Sequence, residues 1–240
     1  MHLTLVKNRR ATFAVDGFAH FDVMSDPPIT LFCFAVKEEA KFFKPLVLAR
    51  SDIRILLTGM GSNNAQRALR ATFANYLPTR VISAGLAGGL KPGLSTGTVL
   101  FEIKGDNIAL HTALIAAGAL PARFHFADHV ATLSSEKQRL RETTGADAVE
   151  MESQAISQIC AERKVASLTV RVVLDPVQED LPLDFNQLMT SDLRLDSAKL
   201  AISLLKDPLK VLELLRLRKQ TNLAAKRLAQ VLAQVFLKDG

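Results

Sequence analysis

The sequence predicts one α/β domain with a mostly parallel, mixed central sheet flanked by helices, followed by a helical C-terminal extension. Short apolar runs of strand length alternate with helix-forming segments, which is typical of sheets covered on both faces. Several of these runs end in glycines or acidic residues, and after Pro182 the pattern becomes helical alone. We therefore expect an N-terminal extension over 1–28, a main domain over 29–184, and a C-terminal extension over 185–240 that packs on it.

The first half of the predicted sheet comes from four apolar runs. Residues 29–36 form a strand of the fully buried kind, and 37–41 favour a helix. Residues 53–58 form the second strand, and Gly59-Met60-Gly61 turns into a helix that Ser62 caps and that runs to Asn75. The third strand, 81–84, ends in a predicted glycine turn over 85–89, and the fourth covers 99–103.

The second half continues the alternation and then ends in helices alone. Residues 108–117 predict a short helix, 122–131 a strand, and Ser134 opens a helix to Thr143. The last two strands are predicted at 146–151 and 167–174, with a helix over 153–163 between them. Leu, Val and Phe recur at spacings of three and four over 209–217 and 223–236, which indicates amphipathic helices.

Composition excludes several classes of protein. With 48% hydrophobic and 22% charged residues, the chain has the balance of a globular protein, and its apolar runs are too short for a membrane helix. The first residues lack the apolar core of a signal peptide, so we expect a cytoplasmic location. Cys33 and Cys160 are expected to be buried thiols, and the only close histidine pair, His125 and His129, lacks a third ligand, so no metal is expected.

The net charge of +6 belongs to the tail, because the segment from Ser197 onward holds nine Lys or Arg and three Asp or Glu. This basic tail is expected to be a solvated helix face or an oligomer contact, or else to rest weakly on an anionic membrane surface. It contains no interleaved aromatic residues for base stacking, so nucleic acid is not an expected partner.

Polar residues and glycines follow the predicted strands, where open α/β sheets bind their ligands. Glu39 follows the first strand, the turn at Gly59–Gly61 the second, and Asp175 the last. The glycine turns could bring backbone N–H groups to an anionic or hydroxyl-bearing ligand, or could serve only as tight connections. The sequence leaves both interpretations open.

Two acidic segments carry the chemistry. Glu150 and Glu152 share one face of a strand, with Met151 on the other, and are not expected to be buried together; they could bind a sugar diol or face solvent. Asp175 ends an apolar strand that should raise its pKa, which suits a general acid, although it could instead cap the turn before Pro176.

Together these segments resemble the nucleoside phosphorylase and nucleosidase superfamily, which includes purine nucleoside phosphorylases and methylthioadenosine/S-adenosylhomocysteine nucleosidases. Order and spacing match over about 29–184, and the branch that the sequence resembles most is the hopanoid-biosynthesis-associated phosphorylases. The matching segments are Phe34-Ala35-Val36-Lys37-Glu38-Glu39-Ala40, Thr58-Gly59-Met60-Gly61, Ser83-Ala84-Gly85-Leu86-Ala87-Gly88-Gly89-Leu90, Ala148-Val149-Glu150-Met151-Glu152-Ser153 and Val170-Arg171-Val172-Val173-Leu174-Asp175.

The resemblance implies cleavage of the N-glycosidic bond of a purine-type nucleoside by phosphorolysis or hydrolysis. It makes Asp175 the general acid for the departing base and Glu152 the ligand of the ribose diol, with Met151 packed on the sugar. Glu39 and Arg171 would handle the incoming water or phosphate. Loss of the base leaves an oxocarbenium-like ribose, which an acid on the leaving group and negative charge near the sugar both favour.

The resemblance also implies the rest of the binding site and the partners. No cofactor is implied beyond inorganic phosphate as a co-substrate, and a homo-oligomer, a dimer, is expected. A non-catalytic or degenerate nucleoside-binding protein of the same fold is the alternative, because Leu86 replaces a serine of many nucleosidases and 128–131 lacks an aromatic residue for the base. The further substrate-binding residues are Glu150, Gly61, Gly85, Leu86, Ala87 and Val130.

Overall fold

The computed structural model describes residues 28–207 and 210–237, so the predicted N-terminal extension lies outside the described residues except for Pro28. The strands are β1 Thr30–Phe34, β2 Ile53–Leu57, β3 Arg80–Gly89, β4 Val99–Ile103, β5 Leu120–Pro121, β6 Phe124–Phe126, β7 Ala148–Glu150 and β8 Ala166–Asp175. The helices are α1 Lys37–Ala40, α2 Ser62–Phe73, α3 Ile108–Ala116, α4 Ser134–Thr144, α5 Ser153–Glu162, α6 Phe185–Leu188, α7 Ser197–Lys206 and α8 Lys210–Phe236, with a 3-10 turn at Lys44–Val47.

The strands form one mixed sheet in the order β2-β1-β3-β8-β4-β5, and β7 joins β3 while β6 joins β7. The pairs β1–β2, β1–β3 and β3–β8 are parallel, whereas β4 runs antiparallel to β8 and β7 antiparallel to β3. The predicted fold class, a single α/β domain with a mostly parallel mixed sheet, is confirmed.

Helices cover both faces of the sheet because the central strands bury apolar side chains on both faces. In β1, Leu31 and Cys33 pack with residues of α2 and α5, while Phe32 and Phe34 pack on the opposite side with residues of α1 and α8. The expectation that the cysteines are buried thiols is confirmed, and burial raises the pKa of Cys160 to about 12.

The C-terminal helix differs from its prediction. Residues 210–236 form one continuous helix where two were expected, because the polar residues between the apolar stretches are compatible with helix. Leu228, Val231 and Leu232 are fully buried in the core that also holds Val170 and Val172 of β8. The tail therefore supplies part of the main core, and a domain division after residue 184 stays a prediction. No helix among the described residues is both long and apolar enough to cross a membrane.

Two segments near the site were predicted wrongly. The glycine turn expected at 85–89 is strand, since β3 continues to Gly89 and pairs with both β8 and β7. Its glycines keep an extended backbone, and their missing side chains let neighbours approach: a Cβ at Gly85 would lie 2.7 Å from Glu39 Oε1. The strand expected at 122–131 is only Phe124–Phe126, after which the chain forms a loop.

Candidate active site

A pocket of about 320 Å³ lies at the carboxyl ends of β1 and β8 and beside the end of β7. We call it the strand-end pocket. Arg171, Gly61 and Gly85 do not line it but contact or adjoin residues that do. The predicted site residues in its wall are Glu39, Leu86, Ala87, Val130, Glu150, Met151, Glu152 and Asp175.

Glu39 is held by backbone N–H groups at the start of α1. Its Oε2 accepts hydrogen bonds from the N–H groups of Ala35 at 2.8 Å and Val36 at 3.2 Å, and Oε1 accepts one from Leu86 at 2.8 Å. Burial raises the pKa of Glu39, although these hydrogen bonds and the charge of Arg171 oppose the rise. Glu39 is thus a fixed carboxylate that binds a proton more readily than a solvated one.

Arg171 is the centre of a buried charged cluster, which we call the arginine cluster: Arg171 with Glu39, Glu150 and Glu152. Its Nη2 donates to Glu150 Oε2 at 2.6 Å and to Ser83 Oγ at 3.1 Å, and lies 3.5 Å from Glu152 Oε2. Nε and Nη1 are buried and meet no hydrogen-bond acceptor among the described residues. Buried N–H groups are costly when they have no partner, so these two nitrogens can bind an oxygen atom that lies beside the cluster.

Glu150 and Glu152 are both buried, with relative exposures of 5% and 8%, so the expectation that they could not be buried together was wrong. Besides Arg171, Glu150 accepts hydrogen bonds from the N–H groups of Glu152 and Ser153 and from Ser153 Oγ. Burial alone would raise the pKa of Glu150, but Arg171 and these hydrogen bonds outweigh it and lower the pKa. With this full set of partners, Glu150 anchors Arg171 and the start of α5.

Glu152 lies beside Glu150 but is less well neutralised. Its Oε1 accepts a hydrogen bond of 2.7 Å from the N–H of Gly61, so the glycine turn after β2 binds this carboxylate. Burial raises the pKa of Glu152 to about 7; Arg171 opposes the rise, and Glu150 and Glu39 add to it. Met151 borders the same pocket wall.

Asp175 lies at the end of β8, where the strand is irregular. Ala87 pairs with Val173 and Gly88 with Asp175, so Leu174 is an extra residue in the ladder. Such a bulge reverses the alternation of side chains, and Asp175 does not share a face with Arg171 as residues four apart in a regular strand would. Asp175 is therefore separated from the arginine cluster, although it lines the same pocket as the three glutamates of that cluster.

Asp175 is paired with a buried lysine that the sequence did not single out as a site residue. Lys137 Nζ donates to Asp175 Oδ2 at 2.7 Å, and both side chains are buried. Burial raises the pKa of Asp175 to about 6, and Lys137 opposes this rise. The sequence did contain a sign that Lys137 is buried. Leu140 is the only large apolar residue of α4, and Lys137 lies three positions before it, so both lie on one face of the helix.

The loop after β6 supplies another part of the pocket wall. The backbone N–H and C=O of Val130 form a pair of 2.9 Å hydrogen bonds with the side-chain amide of Asn186. His129 also borders the pocket, and its ring nitrogens lie 2.6 Å from Asp128 Oδ1 and from Glu136 Oε1, which raises the pKa of the imidazole.

The C-terminal segment closes one side of the pocket, which sequence reasoning also missed. Phe185 brings an aromatic ring to the pocket wall, and it lies far in sequence from 128–131, where the sequence analysis looked for one. No group of three or more His, Cys, Asp or Glu placed to hold a metal occurs within 28–207 or 210–237. The pocket residues from this segment are Leu181, Phe185, Met189, Leu195 and Leu217.

Comparison with known proteins agrees with the sequence resemblance. A family model described as the phosphorylase superfamily matches residues 103–206. The fold is similar to 5′-methylthioadenosine/S-adenosylhomocysteine nucleosidase from Neisseria meningitidis in complex with methylthio-immucillin-A, with a TM-score of 0.62, 18% identity, and coverage of 86% of this chain and 97% of that one.

Two proteins of Helicobacter pylori are similar to the same degree. Futalosine hydrolase gives a TM-score of 0.60 at 14% identity, covering 85% of this chain and 97% of that one. The 5′-methylthioadenosine/S-adenosylhomocysteine nucleosidase with butyl-thio-DADMe-Immucillin-A gives 0.62 at 14% identity, covering 87% and 99%. The resemblance to the phosphorylase superfamily is thus confirmed, while the narrower resemblance to hopanoid-associated phosphorylases stays a prediction.

Proposed function

We propose that this protein cleaves the N-glycosidic bond of a purine-type nucleoside. The observation that carries the proposal is the arrangement of the strand-end pocket, which has an acid, Asp175, in one part of its wall and Glu152 with Glu39 in another. Cleavage of this bond needs a proton for the leaving base and negative charge near the sugar, because the transition state is oxocarbenium-like.

Asp175 is suited to the role of general acid. With a pKa of about 6 it holds a proton in a useful fraction of molecules near neutral pH, yet releases it readily. In the proposed reaction, this proton passes to the imidazole nitrogen of the purine while the electron pair of the C1′–N bond moves to the base. The base then leaves as a neutral molecule.

Glu152 is proposed to bind the ribose. Its Oε1 is fixed by Gly61, so its carboxyl group is held at the pocket wall with Met151 beside it. A carboxylate can accept hydrogen bonds from both hydroxyls of a vicinal diol, and its negative charge favours the cationic sugar. Met151 would pack on the sugar ring.

The acceptor is proposed to be water, activated by Glu39 near Arg171. Three carboxylates surround one guanidinium in the arginine cluster, so a phosphate dianion would meet net negative charge there. Phosphate is the second candidate, since Arg171 carries two buried donors that the described residues leave unbonded. Gly85, Leu86 and Ala87 would border the acceptor and sugar in either case.

A panel of purine nucleosides, including 5′-substituted adenosines, incubated with and without phosphate tests the proposal by chromatographic measurement of released base. We expect release without phosphate, and a loss of about 10²-fold or more in Asp175→Asn, since the variant cannot donate the proton. Asp106→Asn, an exposed aspartate, serves as the matched control.

If wild-type protein binds a nucleoside in calorimetry but releases no base, the non-catalytic alternative replaces the enzyme. One observation favours that alternative. Asn186 is hydrogen-bonded to the backbone N–H and C=O of Val130, a predicted substrate-binding residue, so neither group is free for a substrate. Release only when phosphate is present would instead assign the acceptor to phosphate.

The basic tail is proposed to contact a second copy of the chain and, more weakly, an anionic membrane surface. Ile202, Leu205, Leu212 and Leu215 are exposed apolar residues of α7 and α8 beside Lys206. Sedimentation measures the dimer, and flotation with vesicles that contain or lack anionic lipid measures the membrane contact. A monomer in sedimentation would contradict the contact between two copies. A protein that floats with neither kind of vesicle would contradict the membrane contact.

A further inference from the structure

Lys137 is the buried cation that the proposed reaction does not yet use. Its side chain has 0% exposure, and Nζ donates to Asp175 Oδ2 at 2.7 Å, to Pro176 O at 2.8 Å and to Glu179 O. An ammonium group has three N–H donors, so each has an acceptor here. All three acceptors lie in the segment from Asp175 to Glu179.

Lys137 reaches Asp175 from a helix that is separate from the strand of Asp175. Lys137 belongs to the first turns of α4, whereas Asp175 ends β8, and a Cβ at Gly88 would lie 3.8 Å from Lys137 Cδ and 3.7 Å from Asp175 Oδ2. The lysine stem therefore passes close to β3 on its way to the carboxylate. Lysine is almost never fully buried unless it is paired, and desolvation makes such a site costly for stability alone.

We propose that Lys137 is a positioning residue for the general acid: it fixes Asp175 through Oδ2 and neutralises the carboxylate that proton donation leaves behind. The inference rests on the proposed function. With Oδ2 occupied by Lys137, Asp175 meets the leaving base through Oδ1. When the proton on Asp175 passes to the base nitrogen and the C1′–N electron pair moves to the base, the new carboxylate already lies in contact with an ammonium group.

The effect of Lys137 on the pKa of Asp175 is opposite to the effect of the other surroundings. Burial and the nearby Glu179 carboxylate favour the protonated acid, and the ammonium group of Lys137 favours the carboxylate. The other titratable or charged residues that border the pocket or belong to the arginine cluster are Glu39, Glu150, Glu152, His129 and Arg171. Of all these groups, Lys137 is the one in direct hydrogen-bonded contact with the acid.

The consequence is a specific change in pH dependence. A neighbouring opposite charge shifts the pKa of a carboxyl group by about 1 to 3, so loss of Lys137 should raise the pKa of Asp175 from about 6 to between about 7 and 9. Because activity needs protonated Asp175, the alkaline fall in rate should move to higher pH by the same amount. The maximal kcat should decrease by about 5-fold or more, since a weaker acid transfers its proton less readily.

The test compares pH profiles of kcat for wild type, Lys137→Met and Arg139→Met on a cleaved nucleoside. Arg139 is an exposed cation of the same helix, so its loss removes an equal charge without touching Asp175. We expect the alkaline limb to move only in Lys137→Met. A purely structural lysine would lower the amount of active enzyme and leave the limb in place, and that result would overturn the proposal.

A direct titration separates this inference from the proposed function. The ¹³C carboxyl signal of Asp175, assigned with Asp175→Asn, reports the pKa of this residue without turnover. If the pKa of Asp175 rises by at least about 1 in Lys137→Met, the inference is supported even if no nucleoside in the panel is cleaved. If this pKa is unchanged, the inference is overturned even if cleavage is found. If Lys137→Met does not fold, Lys137→Gln, which keeps donors but not charge, carries the same test.

Discussion

Loss of Arg171 should destabilise the protein strongly, because three buried carboxylates share this one guanidinium. In Arg171→Met, Glu150 loses the 2.6 Å ion pair while its side chain, 1% exposed, stays shielded from bulk solvent. Removing one partner of a buried ion pair costs about 3–5 kcal/mol, since it leaves an uncompensated charge. Small domains unfold with a free energy of about 5–15 kcal/mol, so this loss is at least about a fifth of the total.

Urea unfolding followed by circular dichroism at pH 7 measures the free energy of unfolding. Arg70→Met is the matched control, because Arg70 and Glu162 form an exposed ion pair at 3.0 Å and such pairs contribute at most about 1 kcal/mol. Arg171→Met combined with Glu150→Gln should recover part of the loss by removing the uncompensated charge. The account is refuted if Arg171→Met costs no more than Arg70→Met, or if the double variant is less stable than the single one.

Three further predictions concern residues around the same pocket. Gly85→Ala should destabilise the protein by about 1–3 kcal/mol in urea unfolding, because the new Cβ would lie 2.7 Å from the fixed Glu39 carboxylate; an unchanged midpoint would contradict this. Asn186→Ala should lower KM by up to about 30-fold at unchanged kcat, because it frees both Val130 hydrogen bonds of about 1 kcal/mol each for substrate, whereas a raised KM would show that Asn186 itself binds the substrate. The raised pKa of Glu152, about 7 against 4.5 unfolded, means that its contribution to stability is complete below pH 4.5 and is lost as pH rises through 7. Glu152→Gln should therefore be more stable than wild type at pH 8 by up to about 3 kcal/mol, and equal stability at pH 8 would contradict the assignment.

Local patterns were sufficient to predict most elements of the fold and the raised pKa of Asp175. Short apolar runs place β1, β2, β4 and β8 within a few residues, and an aspartate at the end of an apolar strand indicates a raised pKa, as Asp175 has. These features depend on neighbours in the chain. They are therefore visible without a structure.

Features that depend on distant contacts were missed. Nothing near Gly85 in sequence shows that Glu39 packs against it, so glycines of a continuing strand were interpreted as a turn. Burial of Glu150 requires Arg171, which lies 21 positions away. Lys137 reaches Asp175 across 38 positions, and its contact depends on how α4 packs beside the end of β8.

Product analysis in ¹⁸O-labelled water tests bond cleavage at C1′ most directly. For the nucleoside that the panel identifies, we expect unlabelled free base and a sugar carrying one ¹⁸O atom, in equal amounts, measured by mass spectrometry. Asp175→Asn should form both products at a rate lower by about 10²-fold or more. Label in the base, as deamination would give, or a nucleoside that returns intact from every incubation, would contradict cleavage of the N-glycosidic bond by this protein.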